Sequence, residues 1–226
     1  MQRNTAAPEP QLPWKGVQWL HLAPEGAVFV FPLAGLTVLS ALLGWWVPTA
    51  LGLLLTVAVG LFFRDPERII PQTPGTVVSP ADGRVMEIVA EDPQTRRISI
   101  FLSVLDVHIN RAPYGGTVRT VAYTPGKFLA AYRPEASRLN EANTVTIEAH
   151  GRTFMVKQIA GVLARRIVCR VRPGDVLAKG QRYGLIRFGS RTDLLLPAAA
   201  EVVVQVGDVV RGGETILAFL KEPLGA

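Results

Sequence analysis

The chain has a single cysteine, Cys169, and only three histidines, His21, His108 and His150. One thiol excludes an internal disulfide framework and a cysteine-based zinc site. Three scattered imidazoles leave little material for a histidine-rich metal centre. Charge is also sparse, at 19% of residues against 49% hydrophobic, which excludes a disordered acidic chain. Among the charges present, acidic residues are the minority and the net charge is +6. Of 24 Lys and Arg, 22 follow residue 63, as do 16 of 18 Asp and Glu, so the excess belongs to the body of the chain. A basic body favours an anionic partner: nucleic acid, a phosphorylated substrate or an anionic lipid surface.

The distribution of charge is uneven. Residues 1–25 are polar and proline-rich, and read as a tail. From Gly26 to Phe63 no residue is charged, a run about twice the ~20 residues that one membrane span needs. Gly44-Trp45-Trp46-Val47-Pro48 interrupts it; tryptophan favours the membrane–water interface and proline starts a helix well. The pattern predicts a helical hairpin over 26–63, with helices at about 28–46 and 49–63; the second is short for a full span, which leaves a re-entrant or shallow hairpin open as well. The run starts too late and is too long for a cleaved signal peptide. Arg3 and Lys15 precede it, and Arg64 and Arg68 follow it. Positive charge on both flanks suits a hairpin with both ends in the cytoplasm, at the cell membrane. Pro66, Pro71 and Pro74 stiffen a linker over 64–75.

After residue 75 the signals are those of strands, which predicts a mainly β domain over 76–226. Ile98, Ile100, Leu102 and Val104 alternate along one face, as do Val145 and Ile147. His150-Gly151 reads as a two-residue hairpin turn, with Phe154, Val156 and Gln158 on the returning strand. Ile167, Cys169 and Val171 alternate with Arg166, Arg170 and Arg172, which makes Cys169 a small buried hydrophobe. Gly174-Asp175-Val176 recurs as Gly207-Asp208-Val209, and Gly180 recurs as Gly213. Paired Gly-Asp turns of this kind resemble the hairpins of barrel-sandwich and hybrid-motif folds. Residues 127–142 read as a short helix or an ordered loop.

Three stretches hold residues suited to chemistry. Ser79-Pro80-Ala81-Asp82-Gly83 is, taken alone, a turn. Asp106-Val107-His108-Ile109-Asn110-Arg111 sets a histidine beside an anion binder after an apolar strand. Asp106 and His108 are also half a metal site, but no second histidine pair completes it. Phe188-Gly189-Ser190-Arg191 offers a hydroxyl after a flexible residue, without the Gly-x-Ser-x-Gly elbow of α/β-hydrolases.

In this order, and behind a membrane hairpin, these stretches resemble the phosphatidylserine decarboxylase family, in particular its short bacterial and archaeal-like branch. The resemblance runs from about Phe62 to Leu220. It also includes Phe63-Arg64-Asp65-Pro66, Asn140-Glu141 and Val156-Lys157-Gln158-Ile159-Ala160-Gly161. It implies a proenzyme that cuts itself between Gly189 and Ser190, giving a β chain of 1–189 and an α chain from 190. Ser190 would be consumed to make a covalent pyruvoyl group, the cofactor, with His108 as base and Asp82 orienting it. That group would take up the amine of the lipid's serine headgroup and act as the electron sink as CO2 leaves. His108 would then return a proton. The product would be phosphatidylethanolamine.

Longer bacterial relatives carry a second histidine where this chain has Arg111. A guanidinium cannot serve as a base near neutral pH, so Arg111 is read as a carboxylate or phosphate clamp, with Arg191 as a second substrate-binding candidate. His150, in its turn, is read as solvent-facing. The expected partners are the phosphatidylserine substrate and an anionic phospholipid membrane, the latter drawn by Arg165, Arg166, Arg170 and Arg172 at ~1 kcal/mol per basic residue. Phe128, Leu129, Tyr132 and Leu139 are expected on a loop that dips toward lipid. No nucleic acid, bound metal or separate pyridoxal cofactor is expected, and a homodimer is left open. The rival from another class is a membrane-anchored adaptor with a barrel-sandwich body and no chemistry. A biotin or lipoate carrier would need Lys179 as its acceptor, in surroundings that do not match the modification motif. A zinc peptidase lacks its histidine pair.

Overall fold

The computed structural model describes residues 21–162, 166–187 and 189–221. Most of the polar tail, with Arg3 and Lys15, lies outside the described residues, as do Arg165 and Phe188. Two helices come first, α1 (Pro24–Leu42) and α2 (Trp46–Phe62). Pro24 occupies the first turn of α1, where its missing N–H costs nothing, so the helix begins four residues earlier than the sequence pattern suggested. The turn between the helices is made by Gly44 at φ +71°, with the Trp45 N–H donating to the Ser40 carbonyl. Pro48 therefore falls inside the first turn of α2 instead of starting it.

The helices meet through small and hydroxyl side chains. Ser40 and Thr49 share a hydrogen bond of 2.8 Å, and a Cβ on Gly52 would lie 2.5 Å from Thr37 Oγ1. Hydroxyls that face each other inside the pair leave an apolar exterior of Leu36, Leu39, Leu42, Trp46, Leu51 and Leu54. α1 is long and apolar enough to cross a bilayer. α2, at 17 residues, spans about 26 Å. This pair is compatible with membrane association.

The body is built from strands β1 (Thr76–Val78), β2 (Gly83–Asp92), β3 (Thr95–Leu102), β4 (Ile109–Arg111) and β5 (Gly116–Thr124), then a short helix α3 (Ala136–Leu139). They are followed by β6 (Ala142–Ala149), β7 (Arg152–Ile159), β8 (Ile167–Cys169), β9 (Val176–Leu177) and β10 (Arg182–Ile186). Last come β11 (Ser190–Pro197), β12 (Glu201–Val202), β13 (Val209–Val210) and β14 (Ile216–Phe219). Eight of them form a curled antiparallel sheet in the order β13-β2-β3-β11-β7-β6-β5-β9. Two three-stranded sheets, β1-β14-β12 and β4-β10-β8, complete the mainly β body.

Alternation places Ile98, Ile100 and Leu102 of β3, Val145 and Ile147 of β6, and Phe154 and Val156 of β7 in one core. Val104 lies beyond the end of β3 and is exposed, where the sequence pattern had continued the strand. His150 and Gly151 both have positive φ, 49° and 71°, the signature of the tight turn that matches strand twist. His150 is exposed there, as its turn position implied. Cys169 is half-buried, and its thiol is pushed up mainly by burial, which makes it a poor nucleophile.

The two Gly-Asp turns are built alike. Asp175 accepts the Arg172 N–H and Asp208 accepts the Gln205 N–H, and a two-residue strand follows each turn. Gly180 and Gly213 then approach the same side chain, Ile70 of the linker, from two directions. A second, smaller core ties the base of the hairpin to the body: Leu22, Phe62 and Phe63 pack on Val107, Ile109 and Leu185. Burial of each phenyl ring is worth about 2–3 kcal/mol.

Gly83 opens β2 at φ +144°, and a Cβ there would lie 2.1 Å from the Phe101 carbonyl oxygen on β3. Gly83→Ala is expected to destabilise the protein by about 2 kcal/mol or more, lowering the melting temperature in detergent by about 4–8 °C. An unchanged melting temperature would mean that β2 and β3 do not pack as closely as described.

Candidate active site

β11 begins at Ser190 and lies between β3 and β7, so its first residue is held in an interior strand. Ser190 pairs with Leu102 and is fully buried, and among the described residues its Oγ has no hydrogen-bond partner. A buried hydroxyl left unpaired costs about 1–3 kcal/mol, and such atoms in native proteins call for a reason. Gly189, just before it, sits at φ +61°, a left-handed conformation that strains any other residue. The Gly189 carbonyl in turn rests on Gly161: a Cβ on Gly161 would lie 2.0 Å from that oxygen. Gly161 follows β7, and Ala131, buried in the 127–140 loop, closes the same spot from the other side.

His108 lies at the same dipeptide. Its Nε2 accepts the Gly189 N–H at 3.2 Å, and its Nδ1–H donates to the Asp106 carbonyl at 2.9 Å. The ring is almost fully buried, against Phe62 at a centroid distance of 4.4 Å. Burial lowers the imidazole pKa to about 4, with Arg64 adding to the effect and the Asp106 hydrogen bond and charge opposing it. At neutral pH the ring is therefore uncharged, with a lone pair on Nε2 beside the Gly189–Ser190 bond.

The residue that orients His108 differs from the one the family pattern implied. Asp82 does not hydrogen-bond to the imidazole; its carboxylate accepts Arg68 Nη2 at 2.7 Å and the Gly212 N–H at 2.8 Å. Burial raises its pKa, and Arg68 and the Gly212 N–H oppose that rise. The main-chain carbonyl of Asp106 takes the orienting role, and the Asp106 side chain braces the loop by accepting the Ser103 N–H and hydroxyl, each at 2.7 Å.

Neither candidate clamp is presented to Ser190. Arg111 donates to the carbonyls of Gly180 and Pro66, at 3.1 and 3.0 Å, and pairs with Asp65 at 3.5 Å. Asp65 also receives Arg182 Nε at 2.7 Å, so Arg111 belongs to a buried latch that binds the linker to the body. Arg191 points to the face of β11 opposite Ser190, because side chains alternate along a strand. There it donates to Asp193 at 2.6 Å and to Ser99 at 2.8 Å.

Asn140 braces the 127–140 loop, receiving the Leu129 N–H and donating to the carbonyls of Leu129 and Ala160. Phe128, Tyr132 and Leu139 of that loop are exposed, while Leu129 is half-buried. Sequence reasoning passed over Phe62, Arg68 and Gly161 as site residues, and weighed Asp106 only as half of a metal site. All lie in or beside motifs it had singled out, but their roles depend on contacts between distant segments. Among the described residues, no cluster of three or more metal-ligating side chains exists.

The residues from 55 to 218 match the profile of a family described as phosphatidylserine decarboxylase. The chain is 50% identical over 208 residues to a phosphatidylserine decarboxylase proenzyme of Cereibacter sphaeroides, covering 87% of this chain and 88% of that one. It is 47% identical over 208 residues to the proenzyme of Ruegeria pomeroyi, covering 88% and 94%. Against the proenzyme of Nitratidesulfovibrio vulgaris it is 47% identical over 215 residues, covering 92% and 98%.

Two expectations follow for cleavage at residue 189, followed by intact mass. Gly161→Ala pushes the Gly189 carbonyl out of place and is expected to slow cutting at least about 100-fold, since a displacement near 1 Å costs that much; wild-type cutting would show that the contact is incidental. The second concerns pH. A base must be neutral, so the rate should hold steady down to about pH 5 and fall as His108 protonates near pH 4. Phe62→Ala lets water reach the ring and should move that fall upward, toward 6.5. Circular dichroism at each pH separates this from acid unfolding, and an unmoved acid limb in folded Phe62→Ala would remove Phe62 from the account.

Proposed function

The chain belongs to the phosphatidylserine decarboxylase family, and from this we propose that it is a self-processing, pyruvoyl-dependent enzyme that converts phosphatidylserine to phosphatidylethanolamine and CO2. The observation that carries the reading is the Gly189–Ser190 bond: a buried, unpartnered hydroxyl after a left-handed glycine, with a neutral imidazole on the same dipeptide.

Processing begins when Ser190 Oγ attacks the Gly189 carbonyl carbon. His108 Nε2 gives up the Gly189 N–H and takes the hydroxyl proton. The C–N bond breaks and the proton passes to the Ser190 nitrogen, leaving an ester between Gly189 and the serine oxygen. Loss of the Ser190 α-proton then expels the Gly189 carboxylate, which keeps the serine oxygen. The resulting dehydroalanine takes up water and releases ammonia, and a pyruvoyl group caps the chain from 190. The site suits this group, because its precursor side chain is buried and hydrogen-bonds to none of the described residues.

When formed, the pyruvoyl carbonyl supplies the electron sink for decarboxylation. The protein's own part is to hold it and to move protons. Pairing with Leu102 on β3, and of Arg191 onward with β7, would keep residue 190 in place after the cut. His108 Nε2, released from the Gly189 amide, is the atom proposed to deliver a proton to the headgroup carbon that loses CO2. Arg68 acts on Asp82 and Glu214, and so positions the turn beside the site. We further propose that the helical pair anchors the enzyme in the cell membrane, with the body on the cytoplasmic side. The exposed Phe128, Tyr132 and Leu139 would then meet lipid.

The deciding experiment is the intact mass of purified protein under denaturing conditions, beside Ser190→Ala. Two fragments in the wild type, the smaller blocked by a pyruvoyl group, are expected, with one uncut chain in the variant. Conversion of phosphatidylserine should appear only in the cut form. An uncut wild-type chain in active, membrane-bound material would overturn the reading in favour of an adaptor.

A further inference from the structure

Beside the active site lies a cleft of about 390 Å³, where the start of α1 meets β8 and the loop after β10. It is in the size range of small-molecule sites. Its walls include Arg166, Arg170 and Arg187, with Glu25 as the one acidic residue, and its apolar side is Val28 and Phe29. Three guanidinium groups against one carboxylate leave two positive charges in excess. Glu25 is engaged by Arg170. Among the described residues, neither Arg166 nor Arg187 has a carboxylate within ion-pair distance. The Arg187 Nε is shielded from solvent and donates to nothing among the described residues, while its guanidinium carbon sits 5.3 Å from the Phe29 ring centre. A shielded donor beside unneutralised positive charge calls for an anion.

A packed row of rings separates the cleft from His108. Phe29 stacks on Phe63 at 5.6 Å, Phe63 meets Phe62 at 4.9 Å, and Phe62 lies against His108. Along the chain, Arg187 precedes Gly189 by two residues. On the far side, Val28 is largely exposed and continues into the outward apolar surface of α1. An amphipathic ligand with a phosphodiester between a polar head and acyl chains fits this order of surfaces: active site, arginines, apolar helix.

We propose that this cleft is the phosphate seat for the lipid substrate, with Arg166 and Arg187 holding the phosphodiester and the acyl chains lying along Val28 and Phe29. The proposal rests on the decarboxylase reading above and adds the subsite that selects a phospholipid over free serine.

The test uses full-length, self-processed protein in detergent micelles of phosphatidylserine. Arg166→Gln and Arg187→Gln are compared with wild type and with Arg119→Gln, which removes an exposed charge elsewhere. Arg187 is close to the cut, so processing is checked first by intact mass; Arg166→Gln stands alone if Arg187→Gln stays uncut. The expected result is KM raised about tenfold in each cleft variant, the loss of one charge-assisted hydrogen bond, with kcat within about twofold and Arg119→Gln unchanged. Glycerophosphoserine, which has the phosphodiester but no acyl chains, should inhibit the wild type far better than inorganic phosphate does, and should lose that advantage in Arg166→Gln. Unchanged KM in a processed, active cleft variant would overturn the seat while leaving the decarboxylase intact. Equal inhibition by inorganic phosphate would reduce it to a general anion site and overturn the proposal too. A wild type that cuts itself but leaves phosphatidylserine untouched would remove the reading on which the proposal stands.

Discussion

The constraint on which the site depends is the interior position of β11. Its first residue is the one whose chemistry matters: Ser190 pairs with Leu102 on β3, and from Arg191 onward β7 holds the other edge. Pairing on the β3 edge at Ser190, and on both edges from the next residue, restrains the hydroxyl as an intramolecular attack requires. The same arrangement lets a chain be cut just before a strand without releasing that strand. Everything else at the site is arranged around this fixed point: Gly161 against the carbonyl, His108 on the amide, Ala131 closing the space beside them. The cost is a buried hydroxyl with no partner, which the surrounding sheet is large enough to absorb.

The second dependency runs from the apolar helices into the chemistry. The hairpin ends in Phe62 and Phe63, and these rings are part of the pocket that keeps His108 uncharged. Just beyond them, Asp65 binds Arg111 and Arg182, and Arg68 binds Asp82 and Glu214. Buried ion pairs contribute little net stability but are sensitive to loss of one partner, which suits a linker that must hold one position. Helical pair and active site are thereby one mechanical unit, and the orientation of the helices bears directly on the histidine.

Much of this was legible from residue order alone. Uninterrupted apolarity from Gly26 to Phe63 announced the helical pair, and alternation through β3, β6 and β7 announced the core. His150-Gly151 declared its turn because few residue pairs tolerate two positive φ angles in succession. The family resemblance brought Gly189, Ser190 and His108 together, and the fold does join them. What stayed hidden were relations between segments far apart in sequence. Arg111 and Arg191 looked like substrate clamps because a charge in a motif says nothing of its partners. Asp65, Gly180 and Asp193 had already engaged them. Asp82 had Arg68 for a partner, a pairing that needs the linker to fold back over the body. Main-chain acceptors such as the Asp106 carbonyl carry no residue-type signal at all, since every residue has one.

The paired Gly-Asp turns have a consequence for the life history of the molecule. One turn, at Gly174, lies upstream of the Gly189–Ser190 bond, and its counterpart at Gly207 lies downstream. Each is followed by a glycine that closes on Ile70. Scission would therefore divide a symmetrical clasp between two polypeptides, each bearing one jaw around the same side chain. The near-repeat thus becomes a seam, with Ile70 of the linker between a glycine of one piece and a glycine of the other.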